Sequence, residues 1–443
     1  MTTSTTEPTA RLRVVLRTGA LGVLVLAAAT GALLGQASSI EVEDGAPIDV
    51  ETFPSRTWEA PFGYVLHQSN ADGDHVELVA IDEDGTVLGR SPGYSQRLAR
   101  VSAAGDVLVF DDVHDSSGRT SATALTVTRF EGSVLQEQWS RGFTVDGSED
   151  VVEELDLVAH DQSGRSVVYG CARTAGCLLI GVDARGRELW RRSADGNWAA
   201  THADAGRRER PWPVPEELVV IQNPLSGEPE ENHPIHAVDV ATGAFTELPE
   251  AGRLAAGDAL HATSRVEGGD CEIGVLRARR VAWRRNAPCS HNGGPPHLEV
   301  FGETATYVSD QDELVVVDLL RAKVGRLPGT AAPRAISGTA TTAERSHDGT
   351  VELRRTTDDE ALFEAEKSWR VGDVGVDTVV LHRERTSLNP FAPDRWTEVL
   401  VVDSRTGSLC ASTTLSGRYG SNRALASCRA LVEVDGQTHL VGP

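Results

Sequence analysis

The sequence predicts an all-β fold, a seven- or eight-bladed β-propeller, preceded by a single N-terminal transmembrane helix. One hairpin pattern recurs along the 443-residue chain, and an uncharged apolar run stands near its start. The 43 glycines and 20 prolines suit many short strands joined by tight turns. We therefore expect a cytoplasmic tail at 1–17, a transmembrane helix (signal anchor) at 18–37, a linker at 38–60 and the propeller at 61–443.

The N-terminal apolar run extends from Thr18 to Gly35 without a charged residue. As a helix it is roughly 27 Å long at 1.5 Å per residue, close to the thickness of a bilayer's hydrocarbon core. Basic residues precede the run and acidic residues follow it, so the positive-inside rule places the N-terminus in the cytoplasm and the propeller outside. These flanking residues are Arg11, Arg13, Arg17, Glu41, Glu43 and Asp44.

A cleaved signal peptide is the alternative interpretation of this run, because the small residues GQA before Ser38 suit a cleavage site. The run is longer than the roughly 7 to 15 residues of a signal-peptide core, which favours a retained single-pass anchor in the cell membrane. The first cysteine is Cys171, so no acylatable thiol follows the run.

The charge of the chain argues against a nucleic-acid partner. Lysine and arginine total 42 against 65 aspartates and glutamates, which gives a formal net charge of -23. Such a field opposes the approach of a phosphate backbone. We predict no nucleic-acid binding.

Six cysteines lie in the part of the chain expected outside the cell. An even count in an exported domain favours disulfides, and the spacing favours sequential pairing. A zinc site is the alternative, but the sequence has no Cys-x-x-Cys motif. The predicted pairs are Cys171 with Cys177 across a hairpin, Cys271 with Cys289, and Cys410 with Cys428.

The recurring pattern is a hairpin in which a β run ends at an aspartate and a glycine follows a few residues later. The aspartate side chain can bond amides of the turn, and the glycine takes the positive φ at no steric cost. The clearest turns are Asp82 with Gly85, Asp183 with Gly186, Asp239 with Gly243, and Asp403 with Gly407. Weaker copies surround Phe130, Leu276, Asp318 and Thr357.

These eight positions are spaced by about 46 residues on average, the period of a four-stranded propeller blade. The copy around Thr357 is poor, which leaves seven blades as the near alternative to eight. The C-terminal segment from Arg429 to Pro443 should pair with residues near the linker. Such pairing closes the ring and leaves no bare sheet edge.

The copies resemble the pyrroloquinoline-quinone-like repeat of β-propeller proteins, which has an Ala-x-Asp-x-x-Thr-Gly-Lys-x-x-Trp type of turn and strand. The segment from Val182 to Trp190 is the nearest match, and the turns at Asp239–Gly243 and Asp403–Gly407 have the Asp-x-x-Thr-Gly form. Trp139 and Trp283 end the equivalent strand in weaker copies.

The resemblance covers roughly Gly63 to Pro443 and implies two branches of function. Quinoprotein dehydrogenases hold the quinone and calcium with an adjacent cysteine pair, a stacking tryptophan and an aspartate base. Scaffold-like relatives such as the outer-membrane assembly lipoprotein keep the propeller without a cofactor. This chain has no adjacent cysteine pair and is shorter than the dehydrogenases, so we assign no cofactor, no metal and no catalytic residue.

Other segments offer only weak functional signals. The stretch from Asn70 to Glu77 has oxygen side chains, but its glycine is misplaced for an EF-hand. The stretch from Cys289 to His297 reads as an irregular loop. An insertion between Trp198 and Trp212 is our favoured loop for a ligand or partner contact.

The sequence therefore predicts a membrane-anchored extracytoplasmic propeller that binds a protein partner or a cell-envelope ligand without catalysing a reaction. The alternative is a propeller-borne enzyme, either a quinone-dependent dehydrogenase or a polymer hydrolase or lyase. A binder is expected to present a patch on one face or side of the ring. An enzyme is expected to gather carboxylates or histidines in the channel.

Overall fold

The computed structural model describes most of the chain from Pro47 onward. The described ranges are 47–50, 52–69, 76–94, 99–102, 105–114, 120–131, 134–143, 154–161, 163–172, 176–194, 218–222, 234–251, 253–256, 260–277, 280–290, 293–328, 335–346, 348–387 and 395–443. The predicted tail at 1–17 and the predicted transmembrane segment at 18–37 lie outside them. Within these ranges no helix is long and apolar enough to cross a membrane.

The described residues form short β-strands, as the glycine-rich, β-branched sequence predicts. In chain order the strands are β1 (Pro47–Ile48), β2 (Arg56–Ala60), β3 (Gly63–Ser69), β4 (Val76–Ile81), β5 (Val87–Tyr94), β6 (Ala99–Val101), β7 (Asp106–His114), β8 (Thr120–Glu131), β9 (Val134–Gly142), β10 (Glu154–His160), β11 (Ser166–Ala172), β12 (Gly176–Val182), β13 (Glu188–Ala194), β14 (Leu218–Gln222), β15 (Pro234–Asp239), β16 (Phe245–Ala251), β17 (Arg253–Ala256), β18 (His261–Glu267), β19 (Asp270–Arg277), β20 (Arg280–Ala287), β21 (Glu299–Phe301), β22 (Thr304–Val308), β23 (Glu313–Asp318), β24 (Lys323–Pro328), β25 (Ala335–Ile336), β26 (Thr341–Arg345), β27 (Val351–Arg355), β28 (Glu360–Ala365), β29 (Arg370–Val374), β30 (Thr378–Thr386), β31 (Arg395–Asp403), β32 (Leu409–Ser416), β33 (Tyr419–Leu425), β34 (Arg429–Val434) and β35 (Gln437–Val441).

The described strands form eight sheets built from antiparallel meanders. One sheet has eight strands, because β5 and β9 meet through a single parallel bridge between Arg90 and Val134 that joins two four-stranded units. Each of the eight sequence copies lies in a meander unit of its own. These units have four strands, except the fourth, of which three strands are described. We number these units from the first, β2–β5, to the eighth, β29–β32.

The units follow one another around a ring. The inner strands of neighbouring units contact each other, for example β2 with β6 and β29 with β33. A closing unit completes the ring, since β1 pairs with β35 beside β34 and β33. The all-β propeller prediction and the predicted pairing of the C-terminus with the N-terminal side are confirmed. The strands β1 and β2 lie within the stretch 38–60 expected as a linker. Both pair with propeller strands, so this part of the stretch belongs to the sheets.

The hydrophobic core lies between the faces of adjacent units. In the closing contact, Ile48, Leu425 and Leu431 pack against Tyr64 and Leu66 of the first unit. The strongly apolar, β-branched runs of the inner two strands provide these faces, since alternate residues of a strand point to opposite sides of its sheet. The core therefore consists of separate apolar clusters, which lie at the interfaces between adjacent units.

Candidate functional site

The predicted repeat turns have one hydrogen-bonding scheme in two lengths. In the four-residue form, the Asp183 carboxylate accepts the backbone N–H groups of Arg185 and Arg187 at 2.9 Å, and Gly186 adopts φ +72°. In the five-residue form, Asp403 accepts the N–H groups of Arg405 and Thr406 at 2.8 Å. The turns at Asp82 and Asp239 follow the same two forms.

The electrostatics of these turns suit a structural role. Desolvation raises the pKa of Asp183, and hydrogen bonds from Arg187 outweigh it, so the pKa lies below its usual value. The same balance lowers the pKa of Asp239, where Thr242 supplies the bonds. Both carboxylates are therefore committed to their own turns.

The glycine of a turn receives a tryptophan from the preceding unit. A Cβ added to Gly186 would lie 2.8 Å from the Trp139 ring, and one added to Gly243 would lie 2.4 Å from the Trp190 ring. Trp190 also donates its indole N–H to the carbonyl of Val240 at 2.8 Å. These tryptophans dock one unit on the next, so they are structural.

The three predicted disulfides are present, and no described cysteine is free. Cys171 and Cys177 face each other across the β11–β12 hairpin, with Cα atoms 4.0 Å apart. The other two pairs, Cys271 with Cys289 and Cys410 with Cys428, have Cα separations of 5.2 and 5.7 Å. The last pair joins the eighth unit to the closing unit.

A buried chain of polar side chains joins the second and third units. His160 Nδ1 lies 2.8 Å from the hydroxyl of Ser166, and its Nε2 lies 3.0 Å from Asp106 Oδ2. Arg129 donates to the other carboxylate oxygen of Asp106 at 2.6 Å. Because a carboxylate only accepts, the Nε2 of His160 carries a proton.

This order of hydroxyl, imidazole and carboxylate is that of a hydrolase triad. A nucleophile must reach its substrate, however, and Ser166 and His160 are both 0% exposed while Asp106 is 1% exposed. Burial raises the pKa of Asp106, but hydrogen bonds from His160 and Arg129 outweigh it and hold the pKa below its usual value. The arrangement is an ionised structural bridge between two units, in which Asp106, His160 and Ser166 are buried and Arg129 is half exposed.

An open groove lies where the eighth unit meets the closing unit. Its volume is about 780 Å³. It is formed by the start of β31, the end of β32, the connection between β32 and β33, and the turn between β34 and β35. We call it the cationic groove, and its lining residues are Arg395, Trp396, Thr414, Ser416, Gly417, Arg418 and Asp435.

The backbone of the cationic groove is fixed by hydrogen bonds. Gly417 donates its N–H to the carbonyl of Arg395 at 2.8 Å, and Arg418 donates its N–H to the Asp435 carboxylate at 3.0 Å. Gly417 has φ +131°, and a Cβ there would lie 2.2 Å from the same carboxylate. Only glycine permits this approach, so Asp435 braces the groove.

The charge of the groove differs from that of the sheet beside it. Arg383 and Arg385 both form ion pairs with Glu398. The guanidinium groups of Arg395 and Arg418, in contrast, have no ion-pair partner among the described residues. Two arginines and one aspartate leave the groove with one net positive charge, in a chain whose formal charge is -23.

Other sequence candidates fall outside the site. The loop from Trp198 to Trp212 and most of Asn70–Glu77 lie outside the described residues. Cys289 is in a disulfide. Across the described ranges, no group of three or more histidine, cysteine, aspartate or glutamate side chains is placed to hold a metal ion.

Sequence reasoning missed both the buried bridge and the groove. The signal for the groove was a pair of arginines, Arg395 and Arg418, each next to a strand end. Nothing in their spacing, 23 residues apart, shows that they line one surface. The bridge was hidden for the same reason, since Asp106 and His160 are 54 residues apart.

No protein-family model and no curated protein matches this chain. Among solved structures, BamB from Moraxella catarrhalis is 15% identical, covers 78% of this chain and 98% of its own, and has a TM-score of 0.34. AztD from Citrobacter koseri is 11% identical, with coverages of 83% and 95% and a TM-score of 0.37. The WD40 domain of SCAP from fission yeast is 8% identical, with coverages of 86% and 89% and a TM-score of 0.35. The propeller assignment stands on the sheet topology of this chain itself.

Proposed function

We propose that this chain is a membrane-anchored, extracytoplasmic β-propeller that acts as a non-catalytic binding module. The observation that carries the binding role is the cationic groove, which is lined by a tryptophan and by two arginines that form no ion pair with a described residue. Its volume lies within the roughly 300 to 1,000 Å³ typical of ligand pockets. The occupant is a protein partner or a cell-envelope ligand that approaches from the side of the ring.

Two features of the chain support an exterior compartment. Three disulfides suit an oxidising exterior, where structural cysteine pairs persist. The apolar run from Thr18 to Gly35, with arginines before it, supports a retained anchor and a cytoplasmic N-terminus.

We further propose that the repeat belongs with the pyrroloquinoline-quinone-like propellers. The support is the repeated packing of a strand-ending tryptophan on the turn glycine of the next unit, as Trp139 on Gly186 and Trp190 on Gly243. This tryptophan-on-glycine packing stabilises the fold and assigns no ligand, so the proposed functional surface is still the cationic groove.

Site-directed photo-crosslinking in intact membranes tests the binding role. A photoreactive residue at Ser416 in the full chain should give a crosslinked species that the same residue at exposed Asp270, on another unit, does not give. Double substitution of Arg395 and Arg418 by alanine should weaken the Ser416 product. Equal products at both positions, or none at Ser416, would contradict the proposal.

Deletion of 18–37 tests the anchor. The full chain should sediment with membranes, and the deletion variant should not. Protease added to intact cells should degrade the propeller of the full chain. Protection of the propeller in intact cells, with cleavage only after lysis, would overturn the outward orientation.

A further inference from the structure

We propose that the cationic groove binds a sugar acid, that is, a saccharide that carries a carboxylate. The inference rests on the proposed function, since it names the ligand class of the same groove. It is carried by three properties of the lining, which are two arginines without an ion pair among the described residues, a tryptophan beside two hydroxyls, and a net positive charge in an acidic chain.

The guanidinium groups call for an anion. Arginine presents a planar fork of donors that matches a carboxylate through two parallel hydrogen bonds. Elsewhere on the same sheet the protein supplies the carboxylate itself, since Glu398 pairs with both Arg383 and Arg385. Arg395 and Arg418 have no such partner among the residues that the structure describes. Their positive charge is therefore available to a ligand.

The rest of the lining suits a hydroxyl-bearing ring. Trp396 and Ser416 are directly opposite each other on β31 and β32, and Thr414 is two residues along on the same side of β32. Thr414 and Ser416 are exposed hydroxyls that both donate and accept hydrogen bonds. An indole offers apolar area to the C–H face of a sugar ring. Arginine, hydroxyl and tryptophan residues thus line one groove.

The lining as a whole discriminates between ligand classes. Its two arginines and one aspartate leave one net positive charge in a chain of formal charge -23, which favours an anion. Inorganic phosphate offers no ring to Trp396, and a neutral sugar offers no anion to the arginines. A sugar that carries a carboxylate therefore matches more of the lining than either.

Calorimetric titration of the full-length chain in neutral detergent tests the ligand class. Three probes are compared, namely trigalacturonate, the neutral trisaccharide maltotriose, and inorganic phosphate. Trigalacturonate should bind, and the other two should bind at least about tenfold more weakly. Phosphate binding as tight as trigalacturonate binding would overturn the sugar-acid assignment, and so would equal binding of maltotriose or no binding of trigalacturonate.

Variants locate the binding. Arg395→Ala and Arg418→Ala should each weaken trigalacturonate binding by about tenfold or more, as expected for loss of a charge-assisted hydrogen-bonded pair. Arg385→Ala, which removes the same charge from the same sheet but is paired with Glu398, should change the affinity less than about twofold. Equal losses in all three variants would overturn the site, because they would reflect net charge alone.

Two further measurements separate folding and the broader proposal from this one. Arg395→Lys keeps the charge without the fork, so a folded Arg395→Lys variant should still lose affinity. Full affinity in that variant would contradict bidentate recognition. If crosslinking from Ser416 succeeds while trigalacturonate does not bind, the ligand class is wrong and the binding module stands. If both fail, the groove is not the binding surface.

Discussion

The contacts between units differ in chemistry at two places around the ring. Between the second, third and fourth units, Trp139 and Trp190 pack on Gly186 and Gly243 of the next unit. Between the seventh and eighth units, buried hydroxyls form hydrogen bonds across the contact. On this hydroxyl side short hydrogen bonds join the units, whereas on the tryptophan side aromatic packing is added to the polar bridge of Asp106 and His160.

The hydroxyl contact is fully buried. Thr339 and Ser404 are joined through their hydroxyls at 2.8 Å, and Thr341 donates its hydroxyl to the Ser404 carbonyl at 2.7 Å. Arg405 adds two hydrogen bonds of 2.9 and 3.0 Å to Glu303 of the sixth unit. Polar contacts of this kind fix geometry closely, whereas apolar ring packing contributes mostly through buried area.

The largest effect is expected from the buried bridge at the tryptophan side of the ring. Asp106→Asn removes the buried carboxylate that bonds His160 and Arg129 and should lower the free energy of unfolding by about 3 kcal/mol, as for loss of hydrogen bonds to a charged group. Chemical denaturation at neutral pH measures this loss. The exposed Asp84→Asn is the control and should change little.

The bridge also predicts a pH dependence. Because the folded pKa of Asp106 is lowered, its contribution is complete above the usual value of 3.8 and is lost as the pH falls through the lower folded pKa. The stability difference between the wild type and Asp106→Asn should therefore shrink below about pH 4. A difference that stays constant down to pH 2 would show that Asp106 is not ionised in the folded state.

The next effect concerns the glycine beneath a tryptophan. Gly243→Ala places a Cβ 2.4 Å from the Trp190 ring at φ +65°, so it adds overpacking to left-handed strain. Gly268 has nearly the same φ, +63°, with nothing within 4 Å of an added Cβ. Gly243→Ala should therefore destabilise by about 2 kcal/mol more than Gly268→Ala in urea unfolding. Equal losses would mean that the Trp190 ring moves away from the added Cβ without a measurable loss of stability.

Indole hydrogen bonding gives a smaller, paired test. Trp190→Phe removes the bond to Val240, whereas the indole nitrogen of Trp139 is buried without a partner among the described residues. Both changes remove a similar volume. Trp190→Phe should thus cost about 1 kcal/mol more than Trp139→Phe, measured by thermal and urea unfolding. A larger loss for Trp139→Phe would show that the indole hydrogen bond from Trp190 to Val240 is not the stabilising difference between the two sites.

The smallest effect is expected on the hydroxyl side. Ser404→Ala removes the bond to Thr339, which keeps a second hydroxyl contact to Ser337 at 2.9 Å. The expected loss is about 1 kcal/mol in urea unfolding. The exposed Ser408→Ala serves as the control. If Ser404→Ala is neutral, the buried hydroxyl network contributes geometry without stability.

The tryptophan side of the ring could be predicted from the sequence, and the hydroxyl side could not. Trp190 and the turn Asp183–Gly186 stand in one recognisable motif, because the docking contact repeats with the repeat itself. Thr339 and Ser404 are 65 residues apart, and serine and threonine are common in any turn. The cationic groove was missed in the same way, since Arg395 and Arg418 belong to different units.

The sequence by itself determined the repeat, the turn geometry and the disulfide pairing, because each of these depends on residues close together along the chain. An aspartate bonds amides two to four residues away, and Cys171 faces Cys177 across one hairpin. The tertiary structure alone decided which polar side chains meet across an interface and which remain unpaired. Asp106 is held by His160 and Arg129, which reach it from other strands, and Arg395 forms no ion pair with a described residue. Such pairings depend on distances between units, which local sequence does not encode.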